Sequence, residues 1–213
     1  HFSASRTGHP SLMGEQLNSS GSEMSGSIYN AVGGHIRSGH LGAWAAGTAV
    51  THPMVGASGT GTKEAFLIYG QVNSPAVNSL EFNGSSWSSA GNLASGSLNG
   101  ALWGTQNAAV AAGRAPNTYS YATELYDGSS WSEGANAPFI QSGAGIGTQN
   151  AGFHHGGLPA RSATNLYLGG VWSTGPNSNN IRHRHGGAGS EYAALITGDG
   201  SPYTTCSETY DGT

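Results

Sequence analysis

A four-residue turn motif returns along this chain at steps of 43, 43 and 42 residues: Gly61-Thr62-Lys63-Glu64, Gly104-Thr105-Gln106-Asn107, Gly147-Thr148-Gln149-Asn150 and Gly189-Ser190-Glu191-Tyr192. Trp44, Trp87, Trp131 and Trp172 keep step with it, and so do Phe82, Tyr126, Tyr167 and Tyr210. Three unlike markers on one period make the chain a tandem array. A period of about 40–50 residues with strand-like content points to the blades of a β-propeller. That constrains the architecture before any side chain is assigned chemistry.

One unit, residues 97–133, shows why. Leu98 to Trp103 reads as a short strand and Gly104-Thr105-Gln106 as a turn. Asn107 to Ala112 is an apolar run of strand length, closed by Gly113. After a loop through Pro116 and Asn117, Ala122-Thr123-Glu124-Leu125-Tyr126 alternates in the manner of a half-buried strand. Asp127-Gly128 signals a hairpin, and Ser129-Ser130-Trp131-Ser132 supplies a fourth strand. Four short antiparallel strands with tight turns make one blade. Gly70, Gly113, Gly156 and Gly198 each stand nine residues after a motif glycine, which implies a backbone conformation or close approach that a Cβ would block. The second strands are expected near 64–69, 107–112, 150–155 and 192–197. The Trp side chains are expected to be largely buried between neighbouring blades.

Thr123-Glu124-Leu125-Tyr126-Asp127-Gly128-Ser129-Ser130-Trp131, followed by Gly145-Ile146-Gly147-Thr148-Gln149-Asn150-Ala151-Gly152, resembles the kelch-like repeats of marine and cyanobacterial phage structural and tail proteins. Such repeats also occur in some bacterial surface proteins. The resemblance spans roughly residues 54–213 and implies an all-β propeller of four-stranded antiparallel blades. The double glycine of eukaryotic kelch repeats survives only at Gly156-Gly157.

Three units are complete, at about 54–90, 97–133 and 140–174. The fourth stops at Tyr210-Asp211-Gly212-Thr213, where its last strand should begin. Trp44 stands one period before Trp87 with no complete blade ahead of it. Closure therefore fits four blades, with the Leu41–Ala46 segment as the missing outer strand. A chain that continues past Thr213 fits five or more. Residues 1–40 read as an extended arm or connector, and 41–213 as the propeller.

Composition narrows the function. Charged residues make up only 8% of the 213, and the net charge is −4. With seven Lys and Arg no basic stripe forms, which argues against nucleic-acid binding. The apolar run Ala65–Tyr69 is too short to cross a membrane. The single cysteine, Cys206, excludes an internal disulfide framework and is expected to be buried. The low-charge surface rich in Gly, Ser, Thr and Asn resembles virion or extracellular proteins.

Candidate sites are few. His183 and His185 would share one face of a strand and offer two imidazoles to a metal, although no complete ligand set is visible. Glu124 and Glu208 repeat at one position of two units, which suits a structural role better than a unique catalytic one. Tyr119, Tyr121, Tyr203 and Asn117 fall in the variable loops between second and third strands, where a rigid scaffold can carry recognition. The expectation is a non-enzymatic virion structural or adhesion module without a cofactor, in a phage tail, fibre or capsid decoration. Its partners would be other virion proteins, its own copies, or a host surface glycan or protein. The alternative is a bacterial surface propeller that binds glycans. A carbohydrate-active or copper-dependent enzyme comes third, because no converging catalytic set is visible.

Overall fold

The computed structural model describes residues 28–29, 35–36, 45–70, 78–94, 99–114, 120–138, 142–198 and 205–213. The chain divides into two compact units, His1–Gly47 and Thr48–Thr213. In the first, β1 (Ile28–Tyr29) and β2 (His35–Ile36) form a small antiparallel hairpin.

The second unit holds four antiparallel sheets, each built from strands in chain order. The first comprises β3 (Ser58–Gly61), β4 (Phe66–Tyr69), β5 (Asn78–Phe82) and β6 (Trp87–Asn92). The second comprises β7 (Ala101–Thr105), β8 (Ala108–Arg114), β9 (Ser120–Tyr126) and β10 (Trp131–Glu133). The third comprises β11 (Ala144–Gly147), β12 (Ala151–His155), β13 (Thr164–Leu168) and β14 (Val171–Thr174). The fourth has β15 (Gly186–Gly189), β16 (Ala194–Thr197) and β17 (Ser207–Tyr210). No helix occurs among the described residues. The second strands fall where the period places them. The first strand of the second sheet starts at Ala101 rather than Leu98, and runs on through Gly104-Thr105 of the motif.

Local chemistry explains these elements. All four motif glycines have positive φ, from +108° to +131°. A Cβ at any of them would run into the carbonyl oxygen four residues on, at Ala65, Ala108, Ala151 or Ala193. Only glycine fits that turn. The glycines nine residues later also have positive φ. At the third-to-fourth-strand hairpins, Asn83 Oδ1 accepts from the amides of Ser85 and Ser86 (3.0 and 2.9 Å), and Asp127 Oδ1 from those of Ser129 and Ser130 (both 2.8 Å). These side chains build the turn themselves. Cross-strand pairing sets Trp87 opposite Phe82, Trp131 opposite Tyr126 and Trp172 opposite Tyr167. Each pair has ring centroids 5.0 Å apart.

First strands of successive sheets adjoin: β3 with β7, β7 with β11, and β11 with β15. Their faces are complementary in size. Trp103 in β7 is 2% exposed and lies against Gly145 and Gly152 of the third sheet. Ile146 in β11 lies against Gly187 of the fourth in the same way. A Cβ on any of these glycines would collide with the large side chain.

Two expectations change. Trp87, Trp131 and Trp172 occupy equivalent places against neighbouring elements but are only half-buried. They sit on outer strands, where one side of the indole rests on protein and the other meets solvent. The fully buried indole is Trp103, which lies outside the periodic series. Cys206 is exposed, not buried, since it precedes β17 rather than filling a core position. The sheets are not closed into a ring, and β17 is the outermost described strand of its sheet. Residues 41–44 of the expected closing strand lie outside the described residues. Ala45 and Ala46 are exposed and not in a strand.

Candidate binding cavity

Most polar side chains that repeat are used to hold one sheet to the next. Gln106 Nε2 donates to Phe66 O (3.3 Å) and Phe82 O (3.0 Å) of the first sheet. One repeat later, Gln149 Nε2 donates to Ala109 O (3.1 Å) and Tyr126 O (2.7 Å) of the second. Glu124 accepts from Ala94 N (2.7 Å), on the link between the first two sheets. Glu208, its equivalent, accepts from the amides of Asn179 (2.7 Å) and Asn180 (3.2 Å), between the third and fourth. The carboxylates therefore anchor links, as their repetition suggested.

Between the third and fourth sheets these contacts leave a cavity of about 240 Å³, lined by Phe153, His155, Thr164, Pro176, Glu208 and Tyr210 among others. Its apolar wall is the T-shaped pair of Phe153 and Tyr210, with centroids 5.4 Å apart. Its polar wall begins with Glu208. Arg182 is fully buried and gives Nη2 to Glu208 Oε1 (3.0 Å) and Nη1 to Gly198 O (2.7 Å) and Cys206 O (3.1 Å). Burial pulls the Glu208 carboxyl upward, but hydrogen bonds from Asn180, Arg182 and Asn179 outweigh it and hold the group at about 2.

His155 completes that wall. Its Nε2 lies 2.8 Å from Ser178 Oγ, and its Nδ1 lies 3.0 Å from Nε2 of His185. Ser178 Oγ donates to Asn180 O at 2.7 Å. With that proton committed, His155 Nε2–H donates to Ser178 Oγ, and Nδ1 accepts from His185. Burial, then the Arg182 cation, depresses the His155 imidazole to about 4. Ser178 and His155 have the spacing of a nucleophile and its base. A base that weak, beside a hydroxyl already donated elsewhere, has little power to activate the serine at neutral pH. On the next position His154 is wholly buried, and neither ring nitrogen has a hydrogen-bond partner. Burial, then the neighbouring His155 and His185, depresses it to about 3, so it is neutral at pH 7.

Of the binding and metal candidates singled out from sequence, only Tyr121, His183 and His185 are described, and these three are not brought together. Tyr119, Tyr203 and Asn117 lie outside the described residues. Tyr121 is 51% exposed on β9 rather than in a loop. His183 and His185 are not on one strand face: they precede β15, and Arg184 between them turns the chain at φ +53°. His183 is buried, whereas His185 reaches His155. Among the described residues, no three His, Cys, Asp or Glu side chains are gathered to hold a metal ion. The cavity itself was not legible in the sequence, because Ser178 and Asn179 on the link after β14 and His155 on β12 are brought together only by the fold. Glu208 carried a signal through its equivalence to Glu124, and Tyr210 through the series Phe82, Tyr126 and Tyr167.

No family model matches this chain, and no curated protein matches it.

Proposed function

We propose that the second unit is a kelch-like β-propeller that serves as a non-enzymatic structural or adhesion module of a virion. The observation that carries this is the use of the repeated side chains. Gln106, Gln149, Glu124 and the Trp N–H groups all hydrogen-bond to a neighbouring element or link. Residues spent in this way make a rigid scaffold, and rigid scaffolds with variable loops suit assembly and recognition. The repeat resemblance supports a role in a phage tail, fibre or capsid decoration, with other virion proteins, its own copies or a host surface as partners.

Immunogold electron microscopy of phage particles carrying this chain tests the role. Label on the tail, fibres or capsid surface is the expected result. A chain found only in infected-cell lysate, absent from washed particles, would remove the virion role. A glycan array on the purified chain separates the bacterial-surface alternative.

A further inference from the structure

Each sheet turns one face to the sheet after it and the other to the sheet before. The sixth and eighth residues after the motif glycine face forward: Leu67 and Tyr69, Val110 and Ala112, Phe153 and His155. In these three sheets the next sheet leaves them at most 2% exposed. In the fourth sheet the same positions are Leu195, which is 45% exposed, and Thr197, also exposed. Ala188 and Thr209, which flank Leu195 across the strands, are exposed as well. None of these four side chains is charged. The fifth and seventh residues face backward. Ala109, Ala111, Ala194 and Ile196 are at most 8% exposed against the preceding sheet. Their counterparts in the first sheet, Phe66 and Ile68, are only half-buried, and no sheet of the second unit precedes them. The array thus ends on one uncovered forward face and one uncovered backward face, of the two kinds that pack together at every internal junction.

Two details show that these faces fit each other. At the internal junctions the residue before a motif glycine enters the space over a glycine of the next sheet: Trp103 over Gly145, Ile146 over Gly187. The terminal faces carry Ala188 and Gly59 at those positions. Ala188 is small, and the Phe66 ring already lies over Gly59, so the sizes remain complementary. The second detail is Lys63, which stands in the motif where Gln106 and Gln149 stand. Each glutamine donates to the two carbonyls of one cross-strand pair in the preceding sheet, Phe66 with Phe82 and Ala109 with Tyr126. The equivalent pair of the fourth sheet is Ala194 with Tyr210. Lys63 offers three donors on a side chain that is 89% exposed and tied only weakly, at 3.6 Å, to the exposed Glu64.

The sheets of one chain are not closed into a ring, so these faces do not meet within it. We propose that they form a head-to-tail interface between copies of this chain. The fourth sheet of one copy packs on the first sheet of the next, whose Lys63 donates to Ala194 O and Tyr210 O. An interface of this kind leaves a free face at each end of a pair, so it builds a ring of copies or a filament. The inference rests on repeat geometry and not on the virion role, which stands if the interface fails.

Sedimentation velocity on the full chain tests it. The wild type is expected to form oligomers of the 21.5 kDa chain that dissociate on dilution. Leu195→Glu and Lys63→Glu each alter an exposed side chain, so both variants should fold, and each should sediment as a monomer. An equal mixture of the two should form a dimer and nothing larger, because one intact face of each kind remains. Lys63→Gln should associate as the wild type does, whereas Lys63→Ala should weaken association roughly tenfold, the effect of one lost charged hydrogen bond. A wild type that stays monomeric at every concentration would overturn the interface. So would association that either Glu variant leaves unchanged, or a mixture that stays monomeric.

Discussion

Trp172 reaches back over a whole repeat to give its indole N–H to Thr123 Oγ1 at 3.0 Å, and so hangs the outer strand of the third sheet on β9 of the second. Trp131 does the same to Ser79 one repeat earlier, at 2.9 Å. The second and third sheets are thus each fastened to the one before by one half-buried ring and one buried hydroxyl.

Removing that fastener should be costly but not catastrophic. Trp131→Ala is expected to lose about 2–3 kcal/mol, less than the ~3–5 of a fully buried aromatic, because half the ring already meets solvent. Ser79→Ala, which keeps the packing but orphans the indole N–H, should lose about 1 kcal/mol. Urea melts of both variants measure these values. A Trp131→Ala loss below that of Ser79→Ala would show that the ring contributes no packing.

The motif glutamine gives a sharper contrast. Gln149→Glu replaces a double donor with an acceptor facing Ala109 O and Tyr126 O. A loss of about 1–3 kcal/mol is expected. The fourth unit already carries Glu191 at this position. Glu191→Gln should therefore raise stability by about 0.5–1.5 kcal/mol, seen as a higher melting temperature. No gain there would mean that the glutamine clamp does not form at the third-to-fourth junction.

Gly145→Ala should cost about 1–3 kcal/mol, because its new Cβ would sit 2.5 Å from Trp103 Cε3. Trp103→Leu, destabilising alone, should relieve part of that cost when the two are combined. A double-mutant cycle reads the coupling. Strict additivity would mean that the strands simply move apart.

Stability should fall on acidification. Unfolded, both imidazoles titrate near 6.5; folded, His154 is held at about 3 and His155 at about 4. Between those limits the unfolded chain binds more protons, so stability drops as pH falls below 6.5 and this loss is complete near 3. Glu208, depressed from 4.5 to about 2, adds its own loss over that lower range. His154→Leu should shrink the slope between pH 6.5 and 4 and, by removing a buried polar ring without partners, stabilise the fold at pH 7. Melting curves across pH check both, and an unchanged slope would exclude His154 as its source.

The amino-acid sequence alone determined the repeat, the strands and the turns, because these depend on neighbours a few residues apart. A glycine at positive φ, an Asn or Asp that caps its own hairpin, and an aromatic opposite a Trp are all local decisions, visible at Gly104, Asp127 and Tyr126. The structural role of Glu124 and Glu208 was legible for the same reason: a period exposes it. Only the tertiary structure decided what each repeated side chain touches. Gln149 finds Ala109 and Tyr126, and Trp131 finds Ser79, across separations of 40, 23 and 52 residues. The stacking of one sheet on the next sets those distances, and no local propensity encodes it. It also turned the chain between His183 and His185, left Cys206 at the surface, and joined His155, Ser178 and Glu208 around a cavity. That cavity exists only because the third and fourth sheets lie side by side, a contact between segments that no local pattern in the sequence encodes.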